Sequence, residues 1–214
     1  MHQTIKNLSL IKSEIQQKSY SPQIIAVSKT FAIDKILPLI DFGHINFGEN
    51  KVQEAISKWS DIKKMRPELK LHLIGKLQTN KVKFAVALFD YIHTLDSIKL
   101  AEKIALEQNK INKKLKIFIQ VNIGNEPQKN GIEINNVGTF YNECQNKFEL
   151  DIIGLMCLPP KNVKDNFYFN KMKNLNNELG LKELSMGMSS DYINAASCGA
   201  TFLRIGSNIF GARD

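Results

Sequence analysis

The sequence predicts an α/β protein built as a (β/α)8 TIM barrel, preceded by one N-terminal helix. Two observations carry this prediction. Short, β-branched apolar runs alternate with longer amphipathic runs eight times between Gln23 and the C-terminus, and strands alternating with helices pair in parallel through right-handed crossovers. No Ser/Gly/Pro-rich linker or composition break divides the chain, so residues 1–214 read as a single domain. A length of 214 residues lies at the short end for such barrels, which start at about 200 residues. An open doubly wound sheet is the alternative, because periodicity does not separate an open parallel sheet from a closed one.

Taken in order, Ile5, Leu8, Ile11 and Ile15 fall at helical spacing and predict an amphipathic first helix. After Ser21-Pro22 the run 24–28 is short, β-branched and almost wholly apolar, as suits a strand buried on both faces. The same pattern predicts strands at 45–47, 71–74, 91–94, 116–121, 151–155, 183–186 and 202–205. Helical patterns fall near 33–42, 50–59, 79–88, 97–109, 134–146, 164–179 and 190–198, with a last short one near 207–211.

The charge bounds the function. The chain carries 29 Lys+Arg against 21 Asp+Glu, a net +8, yet only Arg66, Arg204 and Arg213 are arginine. Lys, Ile and Asn together make 73 of 214 residues, which reads as a compositional bias rather than a nucleic-acid footprint. A phosphate or guanine reader would favour the bidentate arginine fork and cluster its charge, so no nucleic-acid partner is expected. Cys144, Cys157 and Cys198 are far apart, without a CxxC pair, and indicate neither a disulfide framework nor a zinc site. No apolar run approaches the ~20 residues of a membrane helix, and Met1–Lys6 lacks a signal-peptide pattern. A cytoplasmic protein without a membrane partner is expected. His72 and His93, in or beside predicted strands, read as core or rim residues.

In a β/α barrel the active face lies at the C-terminal ends of the strands. Ser28-Lys29-Thr30, Phe47-Gly48-Glu49-Asn50, Gly75-Lys76-Leu77-Gln78, Ser185-Met186-Gly187-Met188-Ser189 and Arg204-Ile205-Gly206-Ser207 all fall there. Lys29 directly follows a buried strand, where desolvation favours a neutral, nucleophilic amine; a rim lysine reaching solvent is the ordinary alternative. Around Arg204, Gly206 and Ser207 the last βα loop has the makings of a phosphate cup, to which Ser189 adds a hydroxyl or amide. An amine at one end and a phosphate cup at the other describe a site for a phosphorylated aldehyde, of which pyridoxal 5'-phosphate (PLP) is the commonest cofactor.

The ordered segments Ala26–Thr30, Phe47–Glu54, His72–Lys81, Gln120–Asn122, Gly154–Met156, Leu184–Ser189 and Arg204–Arg213 closely resemble those of the pyridoxal 5'-phosphate homeostasis proteins, themselves similar to the N-terminal barrel of alanine racemase. The resemblance implies a fold-type III barrel with Lys29 as the lysine of a covalent aldimine, Ser189, Arg204, Gly206 and Ser207 on the phosphate, and Asn50 lining the pocket near the ring. It also implies cofactor binding and buffering in vitamin B6 homeostasis without a firmly assigned reaction, with apo PLP-dependent enzymes as candidate recipients; a monomer is expected, although the sequence itself does not fix the oligomeric state. A weak amino-acid racemase or lyase using the same lysine is the alternative. Racemases of this fold take a second base from a β-domain, and the end of the chain at Asp214 leads to the expectation that none follows. Ser190, where the family often has an acid, and Lys76 are departures at the pocket rim.

Overall fold

The computed structural model describes residues 1–160 and 166–212. The start of the helix expected at 164–179, and Arg213 of the last motif, lie outside the described residues. Helix α1 (Gln3–Gln17) precedes β1 (Gln23–Val27), α2 (Ile33–Asp41), β2 (Asn46–Glu49), α3 (Val52–Met65), β3 (Lys70–Leu73), α4 (Val82–Leu88), β4 (Tyr91–Leu95) and α5 (Ile98–Lys110). Then follow β5 (Lys116–Asn122), β6 (Ile132–Glu133), α6 (Val137–Phe148), β7 (Asp151–Cys157), α7 (Phe167–Glu178), β8 (Glu183–Ser185), α8 (Tyr192–Ser197), β9 (Phe202–Ile205) and α9 (Ser207–Phe210).

All pairings are parallel, and two of them decide between a barrel and an open sheet. β1 pairs with β9 through Ile25↔Arg204, and β4 pairs with β5 through Tyr91↔Lys116, so the sheet closes as β1-β2-β3-β4-β5-β7-β8-β9. This is the (β/α)8 barrel. β6 is an addition that the apolar pattern did not signal; its two residues lie beside the end of β5 through Val121↔Ile132.

Alternation along the strands sorts the core. Ile24 and Ala26 of β1, Phe47 of β2, and Leu203 and Ile205 of β9 join the apolar layer between strands and helices. Ile25, Tyr91, Phe118, Met156 and Phe202 pack together inside the barrel. The first helix buries Leu8, Ile11 and Ile15 as its spacing predicts and packs against α2 and α9.

Some boundaries differ from the sequence reading in ways that matter for the site. β2 continues past 47 to Glu49, because the Glu49 carboxylate finds buried partners on the helix side of the sheet. α3 continues past 59 to Met65, where Ile62 still packs on the core.

Candidate functional site

The loops at the C-terminal ends of the strands enclose a cavity of about 400 Å³. Lys29, Asn50, Ser189, Arg204, Gly206 and Ser207, the residues singled out from the sequence, all line it. Val27, Ile74 and Leu158 add apolar wall, and Met188 and Ser190 complete the lining. Leu158 was not foreseen, because β7 runs to Cys157 rather than 155 and so carries the rim two residues further.

Lys29 is half-buried rather than sealed inside, and leaves β1 just after the fully buried Ser28. Its loop is fastened from behind. Ser28 donates its amide to the Gly48 carbonyl at 3.0 Å and its hydroxyl to Glu49 Oε1 at 2.8 Å. Lys58 Nζ donates to the Ser28 carbonyl at 2.9 Å and pairs with both Glu49 and Glu54 at 3.0 Å, while Trp59 Nε1 donates to Glu49 Oε1 at 2.9 Å. Thr30 sits at φ 67°, a left-handed conformation that costs a β-branched residue on the order of 1–3 kcal/mol. Its amide is held by Glu54 Oε1. Burial pushes Glu54 up, but the Thr30 amide and Lys58 outweigh it and hold the carboxyl below its ordinary range.

Asn50 is placed by a close backbone approach. A Cβ on Gly75 would stand 2.2 Å from the Asn50 carbonyl oxygen, a contact that only glycine avoids. Ile74 donates its amide to the Glu49 carbonyl at 2.9 Å, fixing the same two loops side by side.

In the loop after β9, the strand next to β1, the Gly206 and Asn208 amides both donate to Ser189 Oγ, at 3.3 and 3.5 Å, and Asn208 Nδ2 donates to the Ser189 carbonyl at 2.9 Å. Ser189 therefore serves the last turn, and α8 carries no side-chain cap. Gly206 has φ −115°, which any residue adopts, and a Cβ there would lie 3.4 Å from Val27, itself a cavity wall. Packing alone does not require glycine at this position; the added atom would narrow the cavity. This corner, made of small residues, a hydroxyl pair and backbone amides, suits an anion.

Arg204 lines the cavity from its floor, not from the anion corner. Its side chain turns into the barrel, where Nη1 donates to Ser185 Oγ at 2.7 Å and Nη2 to the Cys157 carbonyl at 2.8 Å. It is only 4% exposed; burial pulls its pKa down, against the pull of Cys157 and Asp191. Burial pushes the Cys157 thiol up to about 12, keeping it protonated and unreactive. Among the described residues lining the cavity, Lys29 is the only side chain of a type that exchanges a proton readily.

The alanine racemase N-terminal domain family model matches residues 2–214. The "Pyridoxal phosphate homeostasis protein" of Pasteurella multocida is 34% identical over 98% of this chain and 97% of its own length. The human protein of the same name is 36% identical over 90% of this chain and 77% of its own. Among solved structures, PipY of Synechococcus elongatus PCC7942 with PLP bound superposes with a TM-score of 0.88 at 33% identity, covering 98% of this chain and all (100%) of PipY. Alanine racemase of Clostridium difficile 630 shares the fold, with a TM-score of 0.75 at 16% identity, over 57% of its own length. No helix among the described residues is long and apolar enough to cross a membrane.

Proposed function

Since the chain belongs to the alanine racemase N-terminal domain family, we propose that it binds PLP in this cavity and holds it reversibly as a cellular reserve, available to apo-enzymes, rather than turning over a substrate. The observation that carries this reading is the convergence on one cavity of Lys29, just after β1, with Ser189, Gly206 and Ser207, just after β8 and β9. The names of the relatives that match nearly end to end, and the PLP-bound PipY, support it.

The cofactor would supply an aldehyde for condensation with a lysine amine, with loss of water, to give a Schiff base. Everything else falls to this chain. The Glu49–Lys58–Glu54 system holds the Lys29 loop in place, so the amine is presented without a search over loop conformations. Ser189, Gly206 and Ser207 take the phosphate. Val27, Ile74 and Leu158 would shield the ring from water, with Asn50 and the positive charge of Arg204 completing the lining around it. Among the described wall residues Lys29 is the one readily exchanging side chain, so it is the group that would hold or move a proton beside the bound cofactor.

The test is an absorbance spectrum of the protein loaded with PLP, before and after borohydride. A yellow protein that borohydride fixes on Lys29, with no fixation in Lys29→Ala, is the expected result. A wild-type protein that takes up no PLP would overturn the reading. Solvent deuterium exchange into bound amino acids above the rate given by free PLP would favour the weak racemase or lyase instead.

A further inference from the structure

The floor of the cavity continues into the barrel as a chain of buried polar groups. Arg204 Nη1 lies 2.7 Å from Ser185 Oγ, Ser185 Oγ 2.8 Å from His93 Nδ1, His93 Nε2 2.9 Å from His72 Nδ1, and His72 Nε2 3.1 Å from Asn46 Oδ1. Asn46 Nδ2 then reaches Gln23 Oε1 at 3.4 Å, at the start of β1. The chain thus crosses the barrel from the end that carries the cavity to the other. Ser185, His72 and His93 are fully buried. Each ring is clamped by stacking: His93 on Phe118 at 4.3 Å between centroids and His72 on Tyr91 at 4.1 Å.

The chemistry of the first member sets the direction of all the others. A guanidinium has donors and no acceptor, so Ser185 Oγ accepts from Arg204; among the described residues its single proton has no acceptor other than His93 Nδ1, and goes there. His93 must then carry its proton on Nε2 and donate to His72 Nδ1, and His72 must likewise donate from Nε2 to Asn46 Oδ1. The Asn46 amide is left to donate to Gln23. Every link is satisfied once and in one sense, an arrangement that strengthens each bond inside a low-dielectric core and penalises a reversed one. Neither histidine competes with Arg204 for charge. Burial, with Lys63 and His44 for His72, and with His72 and Arg204 for His93, holds both well below the ordinary histidine range.

We propose that Ser185, His93 and His72 are positioning residues that, as a one-directional hydrogen-bond chain, lock the Arg204 guanidinium in a single orientation and so fix the charged edge that the cavity floor presents to a bound ring. The two side-chain bonds named for Arg204 go to a neutral hydroxyl and a neutral carbonyl, so its charge is oriented by them without being cancelled. The effect on bound cofactor rests on the PLP reading; the direction of the chain does not.

The experiment separates the two. Nitrogen-15 NMR of the histidine rings in the cofactor-free protein at pH 7 should show His72 and His93 both neutral and protonated on Nε2. An imidazolium or an Nδ1–H form at either residue overturns the proposal, and this measurement requires no variant to fold. Ser185→Ala should disturb the His93 tautomer, shift the absorption maximum of the PLP-loaded protein and weaken PLP binding about tenfold, while Ser185→Thr restores all three. A Ser185→Ala protein with an unchanged His93 tautomer and an unchanged spectrum also overturns it. A wild type with the expected tautomers that fails to take up PLP would sink the cofactor reading and leave the chain standing.

Discussion

Glu49→Gln tests whether the Lys29 loop is held from behind by charge. Glu49 is 0% exposed, and its Oε1 receives Ser28 Oγ, Lys58 Nζ and Trp59 Nε1 at 2.8, 3.0 and 2.9 Å, while Oε2 has no hydrogen-bond partner among the described residues. A glutamine of the same shape must put its oxygen where the three donors converge. Its NH₂ then falls at the Oε2 position, with two donors and no acceptor, and Lys58 loses one of its two carboxylates. Breaking a buried pair costs about 3–5 kcal/mol; because Glu54 still faces Lys58 at 3.0 Å, the lower end, about 3 kcal/mol, applies. That is a large part of a typical total of about 5–15 kcal/mol. Trp59 is the only tryptophan in the chain, so its fluorescence during urea unfolding reports on this very contact. The variant should unfold at clearly lower urea, and a double-mutant cycle with Lys58→Met should give a coupling of about 1–3 kcal/mol. A loss below about 1 kcal/mol, the level of an exposed pair, would refute the reasoning.

Other expectations follow from single contacts. Gly206→Ala should change stability by less than about 1 kcal/mol, since its backbone is ordinary and its methyl would rest 3.4 Å from Val27. The same change should weaken PLP binding at least about tenfold; calorimetry showing equal affinity would remove Gly206 from the cofactor site. Gly75→Ala should destabilise by more than about 3 kcal/mol, because its Cβ would stand 2.2 Å from the Asn50 backbone oxygen, which cannot move aside as a flexible side chain would. An unshifted melting curve would contradict that. Burial, helped by Lys12 and opposed by the Asn46 carbonyl, lowers His44 from 6.5 to about 4. The unfolded chain therefore binds the extra proton first as pH falls, and stability present above pH 6.5 is lost down to about 4. At pH 5 the loss is about 2 kcal/mol. The stability gap between wild type and His44→Gln should move by that amount, in favour of the variant, between pH 7.5 and 5, and parallel pH profiles would refute it.

How far the sequence led can be traced residue by residue. Lys29, Asn50, Ser189, Arg204, Gly206 and Ser207 come together in one cavity because a parallel barrel forces every strand's C-terminal end to one face, a rule that acts on order along the chain alone. What lies beneath them was not legible. Phe47-Gly48-Glu49-Asn50 reads as a strand end, yet Glu49 is inside β2 and faces α3; only the position of Trp59 and Lys58 one helix turn apart from Glu54 decides that. His72 and His93 were placed correctly in the core, but a hydrogen bond between them, and from His93 to Ser185 across 92 residues of sequence, depends on strand register that no local pattern encodes. Arg204 looked like part of the anion corner because it adjoins Gly206 in sequence. Strand alternation turns its side chain inward with Phe202, one residue's difference in facing.

The two buried polar systems make better sense from the cavity than from the fold. The interior of a β/α barrel is ordinarily filled by layers of branched apolar side chains, and replacing buried ion pairs by apolar groups of equal volume is often neutral or stabilising. Stability alone therefore gives no reason to place Asn46, His72, His93, Ser185 and Arg204 inside this barrel, or Glu49 and Lys58 behind it. Each system ends at the cavity, though, one at the loop that carries Lys29 and the other at the Arg204 guanidinium in its lining. Apolar packing holds a side chain by shape, to within the play of its rotamers, whereas a fully satisfied hydrogen-bond network also fixes which atom faces which. A cofactor bound as proposed would need that second kind of placement at the two cationic side chains it meets, Lys29 and Arg204. The corner at Ser189, Gly206 and Ser207 is fastened instead within its own two loops, by the Gly206 and Asn208 amides and the Asn208 side chain on Ser189.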